Sequence, residues 1–142
     1  MHRMTEAQRA FLSAHRVAHL ATSTLNGEPH VVPVCFAGDG EELFIVVDTK
    51  PKKVPPFRLK RLLNIRENPS VALLVDTYSE DWSRLGYLLI YGSAEIVDDA
   101  EEHGKALRLL REKYPQYRSM PLEDRPVIKI RTERVISWGA VE

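Results

Sequence analysis

A chain of 142 residues with Lys+Arg 20 against Asp+Glu 20 and a pI near 7.0 has no overall charge bias, which excludes the uniformly basic surface of a general nucleic-acid or membrane-surface binder. The length suits one domain spanning residues 1–142 with a sizeable core, and a composition of 44% hydrophobic and 28% charged residues is ordinary for a globular protein. With one cysteine, Cys35, no internal disulfide can form; no apolar run is long enough to span a membrane and the N-terminus lacks a signal-peptide core, so the expected compartment is the cytoplasm.

Thr5 and Gln8 fit a capping box, so a helix is predicted after Thr5, with Ala7, Ala10, Phe11 and Ala14 on one face. RVAHLATS (16–23) and HVVPVCFA (30–37) read as strands, joined through Asn26-Gly27, a hairpin signal in which both residues tolerate positive φ. GDG (38–40) makes a turn and LFIVVD (43–48) a third strand. Pro51, Pro55 and Pro56 keep the following segment out of a helix until about Arg58. From there to Glu67, Leu59, Leu62 and Leu63 share a face, while Lys60, Arg61 and Asn64 point elsewhere; Asn68-Pro69 ends this helix. SVALLVD (70–76) and GYLLIYGSAEIV (86–97) are strands flanking a loop. Asp99 with Glu102 opens a helix to about Tyr114, with Ala106, Leu107, Leu109 and Leu110 as its apolar set, and VIKIRTERVISWG (127–139) is a closing strand. About six strands with short connections predict a mainly β protein, a small antiparallel barrel with peripheral helices.

The charge is unevenly placed. Seven of the 20 bases lie in KPKKVPPFRLKRLLNIR (50–66), which contains no acid, so the rest of the chain carries 13 bases against 20 acids. A solvated face is the plain explanation of such a run. Arg58, Lys60 and Arg61, however, fall in the first turn of a helix, where the macrodipole favours acids and the free backbone N–H groups attract anions. Phe57 is the only aromatic residue in the stretch, which favours a small phosphorylated ligand over nucleic acid.

Other constellations are weaker. His15 and His19 have helical metal spacing, but on a strand i and i+4 lie about 13 Å apart. Glu80 and Asp81 are adjacent, so on an extended segment they face opposite ways; Asp81 is expected to be solvated or to pair with Arg84. Cys35 reads as a small core residue rather than a nucleophile. No catalytic side-chain motif occurs, and an anion-binding barrel without one points to a cofactor that carries the chemistry.

HLATSTLNGEPHVVPVCF (19–36), LFIVVDTKPKK (43–53), RLKRLLNIRENPSVALLVD (58–76) and YSEDWSRLGYLLIYGSAEI (78–96) together resemble, in that order, the pyridoxamine 5'-phosphate oxidase-like split β-barrel proteins, and most of all their deazaflavin (coenzyme F-420)-dependent branch. The resemblance spans about residues 5–139 and implies a six-stranded antiparallel split barrel that forms a homodimer with one cofactor cleft per subunit at the interface. It implies that the strand around His30 and Pro33 lies against the cofactor ring. Thr49, Lys50 and Lys53, with Arg58, Lys60 and Arg61, would hold the phosphate and tail. Asn64 would orient local backbone or a cofactor oxygen, and Trp82 would line the ring or substrate pocket or else pack in the core or interface.

The implied activity is hydride transfer between coenzyme F-420 and a small unsaturated organic substrate. FMN is the alternative cofactor; its single phosphate needs fewer bases than this stretch supplies. A non-catalytic module binding a cofactor, haem or another tetrapyrrole is the alternative of another class, with His15, His19, His30 or His103 as axial ligand.

Overall fold

The structure, a computed structural model, describes residues 3–48 and 59–141. Its elements are α1 (Glu6–Ala14), β1 (Ala18–Ser23), β2 (Pro29–Val34), β3 (Ala37–Gly38), β4 (Glu42–Val46), α2 (Lys60–Glu67), β5 (Ser70–Thr77), β6 (Gly86–Ile96), α3 (Ala100–Lys113) and β7 (Val127–Gly139). Short 3-10 turns occupy Trp82–Arg84 and Pro115–Ser119.

The helix starts follow local chemistry. Thr5 Oγ1 accepts from Gln8 N, and Gln8 Oε1 accepts from Thr5 N, each at 3.0 Å, which is the reciprocal box expected from the sequence. The face α1 buries is Phe11 and Leu12; Ala10 and Ala14, expected inside, are exposed because these larger side chains seat the helix on the sheet. Asp99 caps α3 by accepting from Glu102 N at 2.8 Å. In α2, Leu62 and Ile65 are buried, but Leu63 is 43% exposed, and Asn64, expected to point away with Lys60, is buried. The hairpin between β1 and β2 is a five-residue loop rather than a two-residue turn, closed by Gly27 N→Thr24 O at 3.0 Å and Thr24 N→Glu28 O at 3.1 Å, and in it only Gly27 has positive φ.

All seven strands form one antiparallel sheet in the order β2-β1-β5-β6-β7-β4-β3. The expected strand 30–37 is split into β2 and the two-residue β3, which makes seven strands rather than six. The split occurs at Phe36, whose backbone N–H donates to the Tyr114 hydroxyl at 3.0 Å instead of entering the ladder. The two edges of the sheet, β2 and β3, are thus consecutive in the chain, with only Cys35 and Phe36 between them. Three residue steps reach at most about 11 Å. The sheet must therefore curl until its edges nearly meet, giving the mainly β split-barrel architecture.

Inside the curl, Leu20, Leu43, Leu73, Leu88, Ile90, Ile128 and Ile130 are fully buried, with Leu62 and Ile65 of α2 against them. A second cluster outside it packs Ala106, Leu107 and Leu110 of α3 on Phe44, Val46 and Val127, with Tyr114 and Tyr117. The buried Lys129 on β7 anchors the start of α3, pairing with Glu102 at 2.8 Å and Glu95 at 3.1 Å; the bond to Glu102 chiefly raises its pKa and keeps it charged. Among the described residues no helix is long and apolar enough to cross a membrane.

Gly27 has φ of 85°, and a Cβ there would meet nothing within 4 Å, so the strain of a side chain is purely conformational. Gly27→Val is expected to lower stability in urea unfolding by about 1–2 kcal/mol; an unchanged midpoint would mean that the loop re-forms without positive φ.

Candidate functional site

The seam left by the curl is lined by residues whose backbone is not fully used by the sheet. β2 pairs only with β1, and Pro33 on it has no N–H to offer a further strand, as suits an edge. Two adjoining cavities open along this seam. The first holds about 300 Å³ between Val32–Cys35 on one side, Ile45, Val46 and Asp48 on the other, and Arg61 of α2. The second holds about 580 Å³ between Arg16, Tyr114, Gln116 and Met120. Val17, Cys35, Asp48 and Tyr117 line both.

Arg61 stands in the first turn of α2. That turn contains no acid, and the N-cap, Leu59, makes no side-chain capping bond. The Arg61 Nε is buried without a hydrogen-bond partner. Burial lowers the pKa of the guanidinium, against the opposing pull of Asp48. A desolvated cation with an unused donor, facing a cavity, is favourably completed by an anionic oxygen.

At the junction, the Tyr117 hydroxyl donates to Asp48 Oδ2 at 3.4 Å, and burial, with Cys35 and Asp48 nearby, pushes its pKa well above the usual tyrosine range. The Tyr114 hydroxyl accepts from Phe36 N and lies 2.8 Å from Arg16 O and 3.0 Å from Phe36 O, either of which can take its proton. Burial pushes its pKa up to about 12. Lys113 sits with Nζ 3.6 Å from the Phe36 ring centroid, and burial, helped by Arg16, pulls its pKa down to about 8. Arg16 in turn donates through Nη1 to Lys113 O.

Of the residues singled out in the sequence, Pro33 and Arg61 come together at the first cavity. Lys60 instead pairs with Glu28 at 3.6 Å. Asn64 donates to Thr22 Oγ1 at 3.0 Å, fastening α2 to β1. His30 is half-buried opposite Thr22 in the β1–β2 register, and Trp82 is 71% exposed in its 3-10 turn; neither lines these cavities. Thr49, Lys50, Lys53 and Arg58 lie outside the described residues.

His15 is bonded to Phe11 O at 2.7 Å and to Thr77 Oγ1 at 2.6 Å, and His103 to Arg125 O at 2.7 Å. None of the four histidines considered as axial ligands lines either cavity. Asp81 does not pair with Arg84; its carboxylate accepts from Ser83 N and Oγ and caps the turn. Cys35, expected in the core, is half-buried where the two cavities meet.

Sequence reasoning missed Asp48, Tyr114, Tyr117 and Arg16 as seam residues. The pair Tyr114 and Tyr117, flanking Pro115 at the end of a helix, was a visible aromatic signal. Nothing local placed it beside Phe36, 78 residues away.

Comparison with known proteins agrees with this geometry. A family model described as "Pyridoxamine 5'-phosphate oxidase" matches residues 4–139. A 5a,11a-dehydrotetracycline/5a,11a-dehydrooxytetracycline reductase of Streptomyces rimosus is 26% identical over 136 residues, covering 95% of this chain and 82% of that protein. Among solved structures, a conserved hypothetical protein of Mycobacterium tuberculosis superposes with a TM-score of 0.77 at 23% identity, over 96% of this chain and 86% of the other. An F-420 reductase superposes with a TM-score of 0.66 at 27% identity, over 94% of this chain and 98% of the other.

Tyr114→Phe removes the acceptor of the Phe36 N–H among the described residues, and is expected to destabilise the protein by about 1–3 kcal/mol at pH 7 in chemical denaturation. The folded pKa of about 12 stands above an unfolded value of about 10. The hydroxyl's contribution is therefore fully present below about pH 10 and is lost as pH rises towards 12. A variant as stable as the parent at pH 7 would show that Phe36 finds another partner.

Proposed function

Since this chain belongs to the pyridoxamine 5'-phosphate oxidase family, we propose that it is an oxidoreductase whose seam cavity holds a phosphorylated redox cofactor, coenzyme F-420 rather than FMN. The observation that carries this is Arg61, which lines the first cavity and whose Nε is buried without a hydrogen-bond partner. The residues present fit an anionic group there: a cation stripped of water, an uncapped helix start and an apolar floor from Val32 to Val34. The run of seven bases over residues 50–66 favours the longer anion, and similarity to an F-420 reductase supports the same choice, while similarity to a tetracycline-class reductase supports reduction of an organic substrate.

When bound, reduced coenzyme F-420 supplies a hydride for an unsaturated organic substrate. The chain's own part is binding, orientation and exclusion of water. Arg61, with Lys60, Thr49, Lys50, Lys53 and Arg58, would neutralise the phosphate and tail. Pro33, and His30 on the same strand, would flank the ring, and Asn64 holds α2 in place through Thr22. Tyr114 and Tyr117 stay protonated at neutral pH because burial raises their pKa values, so they donate hydrogen bonds rather than act as bases. Pairing as a homodimer, with the cofactor at the interface, would cover Val31 on the edge strand and Trp82, which are 62% and 71% exposed.

Titration of the apo-protein with coenzyme F-420 and with FMN at two salt concentrations is the direct test. Tighter binding of coenzyme F-420, weakening with salt, is expected; preference for FMN would move the chain to flavin chemistry, and binding of neither would end the cofactor assignment. Arg61→Ala should weaken binding by about 1.5–3 kcal/mol, and unchanged affinity in a folded variant would remove Arg61 from the site. Light scattering should report two copies per particle, and Val31→Glu should shift the population towards monomer; a monomeric parent would overturn the shared cleft.

A further inference from the structure

Resting on the cofactor assignment for the first cavity, we propose that the second, wider cavity is the substrate compartment, shaped for a planar, uncharged ring system that carries a hydroxyl group, with Asp48 as the side chain that selects the hydroxyl.

The volume, about 580 Å³, is in the range that encloses two to four fused rings. Beside Arg16, Gln116 and Asp48, much of the wall is apolar or aromatic: Val17, Tyr114, Tyr117 and Met120, the last a flexible thioether that adapts to ring edges. Polar groups on the walls are mostly spent within the protein. The Tyr114 hydroxyl is committed to Phe36 and Arg16, and Arg16 to the Lys113 carbonyl. Asp48 and the exposed side-chain amide of Gln116 are the exceptions, and of these two Asp48 alone also lines the first cavity. Among the described residues its one hydrogen bond is the long contact, 3.4 Å, from Tyr117 to Oδ2. A carboxylate has room for about four such bonds. It lines both cavities, so a hydroxyl bound to it is held where the two compartments meet.

An anionic substituent would be repelled by Asp48 at this point. A methyl ether of the same shape would leave the carboxylate without its donor, which is the kind of mismatch that polar sites reject most strongly.

The test uses 2-naphthol and its matched ether, 2-methoxynaphthalene, as probes of the full-length protein, followed by probe fluorescence or calorimetry. The apo-protein is expected to bind 2-naphthol about tenfold more tightly than the ether. Met120→Trp, which fills the compartment, should abolish binding of both probes, while Asp48→Leu should reduce the preference to less than about twofold. Thermal unfolding of each variant checks that it is folded, and the comparison of probes on the parent protein needs no variant.

Equal affinity for the two probes would overturn the role of Asp48. Absence of binding, or binding unaffected by Met120→Trp in a folded protein, would overturn the compartment. Simultaneous binding of 2-naphthol and coenzyme F-420 is expected. Competitive displacement would show that the wide cavity belongs to the cofactor, and would overturn the proposal while leaving the cofactor assignment intact. Discriminating naphthol binding by a protein that takes neither coenzyme F-420 nor FMN would support the compartment and refute the cofactor assignment.

Discussion

Two residues, Cys35 and Phe36, join one edge of the sheet to the other, and most of the architecture depends on that short link. The chain leaves β2 at Val34 and enters β3 at Ala37, on the far side of a seven-stranded order. So short a tether allows only a curled sheet, and a curled sheet that does not close its ladder leaves a seam. Backbone groups at such a seam need partners that are not strands. Tyr114 meets this requirement with one hydroxyl that bonds Phe36 and lies within reach of Arg16, drawing the end of α3 onto the gap.

The same seam concentrates the unbalanced electrostatics. Arg61 is carried there by α2, whose register is held by Leu62 and Ile65 in the core and by Asn64 on Thr22. Its guanidinium is only partly answered by Asp48, and Asp48 is shared with Tyr117. Burial moves four groups around the gap towards their neutral forms: Tyr114 and Tyr117 upward, Lys113 and Arg61 downward. Such a site gains from a ligand that brings an anion to one end and apolar surface to the other. Lys129, by contrast, is answered by Glu42, Glu95 and Glu102, which ties β7 to β4, β6 and α3.

Much of the fold was legible in the sequence. The Thr5 and Asp99 caps, the helix ending at Asn68-Pro69 and the strand over 70–76 all arise between near neighbours, where spacing is decisive. Two of the errors share one cause. Asn64 turned inward and strand 30–37 broke at Phe36 because a distant partner overrode the local pattern. For Asn64 that partner is Thr22; for Phe36 it is Tyr114.

For the site, composition by position was enough to find the basic stretch and Arg61 within it, since excess charge in a neutral chain is visible without coordinates. The sequence by itself thus determined most of the elements, their order and the family the chain belongs to, and it marked the basic stretch on which the proposed anionic ligand rests. Which of those bases faces a cavity, and that Asp48, Tyr117 and Cys35 stand opposite it, was decided only by the tertiary structure. Curling the sheet brings together groups that lie from 13 (Asp48 and Arg61) to 82 (Cys35 and Tyr117) positions apart in the chain, and no local periodicity records the distance between them.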